Sequence, residues 1–237
     1  VTDVRTVDLD GMRVSYRSTG DPRGPVAVLL HGGGSDASTW DRFAAALAGA
    51  GWRAIAPDLP GHGGSTRLRA YTLATHRDAV AGLLDALGLD RPALVGHSLG
   101  AHTASLVAMD RPVSRLVLED PPAPSRDGEL AAELSPTRVA ALFAGSLLRR
   151  GRYHPRALTS AIRELRRPDP SWWQRLPAIT APALVLSGGP RSHLASRRTA
   201  EVAAELPDGR FVTIPVGHRI HSLAPDDFRD AVLPFLM

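Results

Sequence analysis

The sequence contains no cysteine, which excludes disulfides, a thiol nucleophile and thiolate metal sites. That composition fits a reducing compartment, and a cytoplasmic protein is expected. Lysine is absent as well: all 28 Lys-or-Arg positions are arginine. With a net charge of only +4, the basic balance comes from arginine standing in for lysine rather than from a polyanion-binding stripe. Arg149-Arg150-Gly151-Arg152 and Arg166-Arg167 read as solvated surface, so no nucleic-acid partner is expected. No run reaches the roughly 18 apolar residues of a membrane helix. The opening Val1-Thr2-Asp3-Val4-Arg5 lacks an apolar h-region, so neither a membrane span nor a secretory signal is expected. The histidines show no metal-ligand spacing, and no metal or other cofactor is expected.

What is present is ordinary for a globular protein. The 237 residues, 43% hydrophobic and 22% charged, suffice for one α/β domain, with or without a modest insertion. Strand and helix patterns alternate. Arg5–Leu9 and Met12–Arg17 flank Asp10-Gly11, a hairpin signal. Val26–Leu30, Arg53–Ala56, Ala93–Gly96, Leu116–Leu118, Ala183–Leu186 and Phe211–Ile214 read as further strands. Trp40–Ala50, Leu73–Leu87, Leu99–Met109, Ser196–Leu206 and Pro225–Leu236 read as helices. The pattern predicts an α/β fold with a mostly parallel, eight-stranded sheet covered by helices on both faces. Between about Pro121 and Pro177 there are helical segments and no strand, bounded by Pro121-Pro122-Ala123-Pro124 and by Pro177 and Pro182. Residues 1–120 and 178–237 are therefore expected to form the core, and 121–177 a helical lid inserted after the sixth strand.

The sharpest chemical signal is Gly96-His97-Ser98-Leu99-Gly100, placed between an apolar strand and a helix. A tight strand-to-helix turn needs small flanking residues and lifts the serine hydroxyl above the sheet edge. The helix that follows favours developing negative charge. A second signal, His31-Gly32-Gly33-Gly34, directly follows a strand. Together these motifs resemble the α/β-hydrolase superfamily, over nearly the whole chain. The resemblance implies Ser98 as nucleophile and the backbone N–H groups of Gly33 and Leu99 as the oxyanion hole, each donor worth roughly 10²–10³ in rate. Gly32 and His97 would line the substrate site beside them. Asp58-Leu59-Pro60-Gly61-His62-Gly63-Gly64-Ser65 matches a further family turn, where Asp58 and His62 read as architectural.

The resemblance also assigns the general base. Gly217-His218-Arg219-Ile220-His221 follows the last strand, and His218, next to the glycine, is the expected base. His221 competes, with packing or hydrogen bonding beneath the loop as its expected role. The orienting acid is not where most of the family keeps it: the loop Ser187-Gly188-Gly189-Pro190-Arg191-Ser192-His193 holds no carboxylate. Some relatives, including certain haloalkane dehalogenases, carry it after the sixth strand, where this chain has Glu119-Asp120. Adjacent strand residues point to opposite faces, so only one can serve. Asp120 is expected to be the acid, with Glu119 the alternative and bracing of the lid joint a third reading.

A serine at the elbow argues against epoxide hydrolases and dehalogenases of this fold, which need aspartate there. It favours cleavage of an ester or lactone of a small-to-medium hydrophobic molecule through an acyl-enzyme. Trp172, Trp173, Phe143, Leu147 and Trp40 are candidate pocket walls, with ordinary contact between lid and core as the alternative. A C–C bond hydrolase, a cofactor-free perhydrolase and a non-hydrolytic cyclase or binding protein remain as rivals. The expected partner is a small-molecule substrate, and the expected assembly a monomer or homodimer.

Overall fold

A computed structural model describes residues 2–126 and 152–237. Its strands are β1 (Thr2–Leu9), β2 (Met12–Gly20), β3 (Val26–Leu30), β4 (Arg53–Pro57), β5 (Ala93–His97), β6 (Arg115–Glu119), β7 (Ala183–Ser187) and β8 (Gly209–Thr213). They form one eight-stranded sheet in the order β1-β2-β4-β3-β5-β6-β7-β8. The β1–β2 and β2–β4 pairs are antiparallel and every other pair is parallel. At the hairpin, Asp10 (φ +50°) and Gly11 (φ +86°) both take positive φ, the conformation a two-residue turn between twisted strands demands.

The described helices are α1 (Asp41–Gly49), α2 (Leu73–Ala86), α3 (Leu99–Asp110), α4 (Pro155–Leu165), α5 (Pro170–Arg175), α6 (Ser196–Glu205), α7 (Ile220–Leu223) and α8 (Pro225–Leu236). Because side chains alternate along a strand, the central strands bury residues on both faces. Ala27, Leu29, Val95 and Val117 face Phe43 and Leu47 of α1 and Phe228 and Val232 of α8. Val28, Leu30, Leu94 and Leu118 face Leu83 of α2, Ala101 and Ala104 of α3 and Val202 of α6. The sheet is thus a middle layer between two helical layers.

Several strand limits differ from the sequence expectation by a residue, and three by two or more for reasons of pairing: β1 begins at Thr2, which pairs with Thr19. β2 runs on to Gly20 because its second half forms a ladder with β4, from Tyr16↔Pro57 to Gly20↔Arg53. β8 begins at Gly209, which pairs with Ala183, and its side chains are exposed as befits an edge strand. Within the stretch expected to form the lid, the described parts are 121–126, without regular structure, and 152–177, which carry α4 and α5. Phe143 and Leu147 lie outside the described residues.

Candidate active site

β5 ends at His97, and Ser98 caps the N-terminus of α3 with φ +52° and ψ −118°. A positive φ in a non-glycine residue costs on the order of 1–3 kcal/mol and persists only where the surroundings enforce it. Here they do. A Cβ on Gly96 would stand 2.3 Å from the carbonyl oxygen of Gly100, and one on Gly100 would stand 2.2 Å from that of Leu30. The turn closes only because both positions lack side chains. The Ser98 N–H donates to the Glu119 carbonyl at 3.0 Å, fixing the elbow to β6.

The loop after β3 passes directly over this turn. A Cβ on Gly32 would lie 3.2 Å from Cβ of Ser98 and 2.6 Å from Nδ1 of His97, so backbone alone fits there. The next residue, Gly33, sits near Leu99: a Cβ on it would lie 3.9 Å from Leu99 Cδ2. Leu99 opens α3, where backbone N–H groups have no partner within the helix. The loop is held by two buried imidazoles. Nδ1 of His31 donates to the Gly32 carbonyl and its Nε2 accepts from the Leu59 N–H at 3.0 Å. Nδ1 of His62 donates to the Pro60 carbonyl and its Nε2 accepts from the Gly34 N–H at 3.2 Å. Accepting through Nε2 requires neutral rings, and burial lowers His31 to about 4 and His62 to about 3. Asp58 completes the lacing by accepting from the N–H groups of Ala37 and Gly64.

The strand-end dipeptide Glu119-Asp120 receives the loop after β8. Nδ1 of His218 donates to Oδ2 of Asp120 at 2.7 Å. Asp120 is fully buried and has φ +45°. It also accepts from the Gly188 N–H at 3.0 Å and from the Ser192 hydroxyl. The loop after β7, which holds no carboxylate of its own, therefore supplies two donors to the carboxylate beside it. Glu119 points the other way and takes His221, whose Nδ1 lies 2.7 Å from Oε2. Burial pushes Glu119 up to about 7. Between the two histidines lies His97, with ring centroids 4.7 Å from His218 and 5.0 Å from His221. Its Nε2 donates to the His218 carbonyl at 2.8 Å, so the residue before Ser98 holds the backbone of His218. Burial keeps His97 well below the ordinary histidine range.

Ser98, Gly32, Gly33, His97, Leu99, His218 and Asp120 thus converge at the carboxyl ends of β3, β5 and β6. The tryptophans pack into the core, the alternative that stood beside their expected place on the pocket wall. Trp40 is fully buried, stacked on His221 at 4.3 Å and packed against Phe43 and Phe228. Trp172 stacks on His102 of α3 and donates to the Ser105 hydroxyl. Trp173 donates to the Pro124 carbonyl with the Arg126 guanidinium 3.8 Å above its ring. Each gains more by filling the junction between α3, α5 and the core, or between α1 and α8, than by facing solvent. Leu158 of α4 stands over the glycine loop instead: its Cδ1 lies 2.8 Å from where a Gly33 Cβ would be. His193 covers His218, with ring centroids 4.0 Å apart. Neither residue carries a sequence signal, because no motif or period marks it. Among the described residues no cluster of three or more His, Asp or Glu side chains could hold a metal ion.

The fold, the serine elbow and the histidine–carboxylate pair define a hydrolase-type site on an α/β sheet. Residues 27–231 match the model of the alpha/beta hydrolase family, and the chain belongs to that family. It is 36% identical over 141 residues to Epoxide hydrolase A of Mycobacterium tuberculosis, a match taking in 57% of this chain and 42% of that protein. It is 27% identical over 266 aligned positions to the sn-1-specific diacylglycerol lipase of Mus musculus, covering 97% of this chain and 87% of the relative. The crystal structure of the enol-lactonase from Burkholderia xenovorans LB400 has the same fold, with a TM-score of 0.79, 24% identity and coverage of 98% and 99%. The chain spans less than half the length of the curated relatives it matches first. No helix among the described residues is long and apolar enough to cross a membrane.

Proposed function

We propose that this hydrolase cleaves a carboxylic ester or lactone of a small-to-medium hydrophobic molecule through an acyl-enzyme on Ser98. The observation that carries the reading is the 2.7 Å bond between Nδ1 of His218 and Asp120. It fixes the tautomer, leaving the Nε2 lone pair to take a proton. His218 removes the Ser98 proton as Oγ attacks the carbonyl carbon, and returns it to the leaving oxygen as the C–O bond breaks. The N–H groups of Gly33 and Leu99 stabilise the oxyanion between these steps. Water then attacks the acyl-enzyme with the same base, releasing the acid and restoring Ser98. Asp120 stabilises the imidazolium in both halves of the cycle.

Three further observations favour this chemistry. Serine rather than aspartate at position 98 argues against the epoxide chemistry in the name of the mycobacterial relative. The mouse relative, aligned along nearly the whole chain, is a lipase. Leu158 over Gly33 gives the oxyanion loop an apolar roof, which suits an uncharged acyl group. The stretch 121–177 is the proposed lid. A fluorophosphonate tests the assignment: the wild type gains one adduct mass, and Ser98→Ala gains none and loses hydrolysis of p-nitrophenyl esters and lactones. A Ser98→Ala protein that still turns over these substrates refutes it.

A further inference from the structure

The same strand end holds a second imidazole–carboxylate pair that this mechanism leaves unused. Glu119 is fully buried, and His221 has a side chain only 2% exposed. Oε1 of Glu119 accepts from the His221 backbone N–H at 3.0 Å, while Nδ1 of His221 donates to both carboxylate oxygens, at 2.9 and 2.7 Å. On the far side of the ring, Nε2 of His221 accepts from the Thr39 hydroxyl at 2.8 Å. Hydroxyl, imidazole and carboxylate therefore form a complete second relay.

That relay is not built for nucleophilic attack. The His221 ring is covered by Trp40 on one side and by the edge of Phe228 on another. The ring that would serve as base is itself out of reach of a substrate, with its side chain buried. What the relay does join is three pieces of the site. Glu119 directly precedes Asp120 on β6 and holds the Ser98 N–H through its own carbonyl. His221 lies three residues beyond His218. Thr39 and Trp40 end the turn that follows the glycine loop. Burying a carboxylate without partners is costly, so a Glu retained in full burial must be earning its place by hydrogen bonding. The groups facing it are His221, His97, His218 and Asp120.

We propose that Glu119 and His221 are positioning residues for the hydrolysis assigned to Ser98: their buried pair, locked to Thr39, sets where the His218 loop sits relative to Asp120 and the elbow. The inference rests on that assignment. It also accounts for a departure from the common family layout. With the acid at the end of β6, one dipeptide anchors the whole base loop, each carboxylate gripping one of two histidines spaced three apart.

The test compares Glu119→Ala, Glu119→Gln and a stability control, Leu116→Ala, which cuts the buried packing of the same strand away from the site. Glu119→Ala is expected to lower kcat about 30- to 100-fold with KM nearly unchanged, as misplacing a base by about 1 Å does. Glutamine keeps an oxygen for the His221 N–H and can pair with Nδ1, so it restores kcat to within about fivefold of wild type. Leu116→Ala, with a comparable fall in Tm, keeps kcat within about twofold. The low-field proton resonance of His218 Nδ1 shifts in Glu119→Ala and stays in place in Leu116→Ala. Loss of activity in Leu116→Ala equal to that in Glu119→Ala overturns the proposal, and so does a glutamine variant as impaired as the alanine one. If Glu119→Ala does not fold, His221→Phe takes its place with the same expectations. A wild type that neither hydrolyses esters nor takes the fluorophosphonate refutes the Ser98 assignment instead. The resonance then decides alone, and an unshifted signal overturns the positioning role.

Discussion

Two histidine–carboxylate pairs stand side by side at the end of β6, and their shortest contacts are equal. Asp120–His218 and Glu119–His221 both close at 2.7 Å. Their surroundings differ. The His218 side chain is 16% exposed, whereas His221 is stacked under Trp40 with its Nε2 already bound to Thr39. Bond length therefore does not distinguish a base from a strut. What distinguishes them is whether the second ring nitrogen still has a lone pair to offer, and whether the ring can meet substrate.

The sharpest way to break this comparison is to neutralise each carboxylate in turn. Asp120→Asn is expected to lower kcat by about 10⁴, because the amide fixes the wrong tautomer of His218. Glu119→Gln should fall far short of that. Equal losses measured by steady-state kinetics would mean that the two pairs are not functionally distinct.

Acid should act on the strut and the loop braces before neutral pH does. His31, His62, His76, His97, His102 and His221 are all held below their ordinary value of 6.5, in every case chiefly by burial. The unfolded chain binds protons on these groups near 6.5 and the folded one only well below it. Their contribution is therefore complete above pH 6.5 and is lost as pH falls toward 4 and 3. Each can steepen the loss by up to about 1.4 kcal/mol per pH unit. Glu119, raised to about 7, works oppositely, stabilising most below 4.5 and least above 7. Burial also raises Asp58, but six histidines outweigh two carboxyl groups, so Tm should drop steeply between pH 6.5 and 4.5 in thermal melts. A flat profile there would contradict the neutral buried rings.

Ser192→Ala probes the support of the proposed catalytic pair, Asp120 and His218. Removing one of the donors to Asp120 costs about 1–1.5 kcal/mol, or about tenfold in kcat, with KM little changed. The smallest effect should come from Trp172→Phe, which loses the indole bond to Ser105 and some volume. It is expected to cost about 1–2 kcal/mol of stability in chemical denaturation while kcat stays within about twofold. A change in substrate preference would instead return Trp172 to the pocket.

Much of this site was legible in the chain itself. Gly96, Ser98 and Gly100 announce the elbow because a tight strand-to-helix turn admits few residue types, and His31–Gly34 announces the facing loop for the same reason. The empty loop after β7 and the Glu119-Asp120 dipeptide were equally readable, since a missing carboxylate and an unexpected pair of them are both compositional facts. Glu119 and Asp120 take different histidines, and because Asp120 lies just past β6 at φ +45° this separation comes from the turn rather than from strand alternation.

What no local pattern carries is which side chain of another segment meets each one. The expected cavity walls Trp40, Trp172 and Trp173 are core because α1, α3, α5 and α8 happen to close over them. Leu158 reaches the glycine loop, and His193 the face of His218, across about 125 and 25 residues of chain. Ser192 and Gly188 become donors to Asp120 only when β7 lies beside β6. The sequence by itself determined the fold, the serine elbow, the glycine loop and the placement of two carboxylates at one strand end, because backbone conformation and strand period constrain residue type locally. Only the tertiary structure decided which histidine each carboxylate holds and which of those rings is sealed, because both depend on segments brought together by sheet order and helix packing rather than by neighbourhood in the chain.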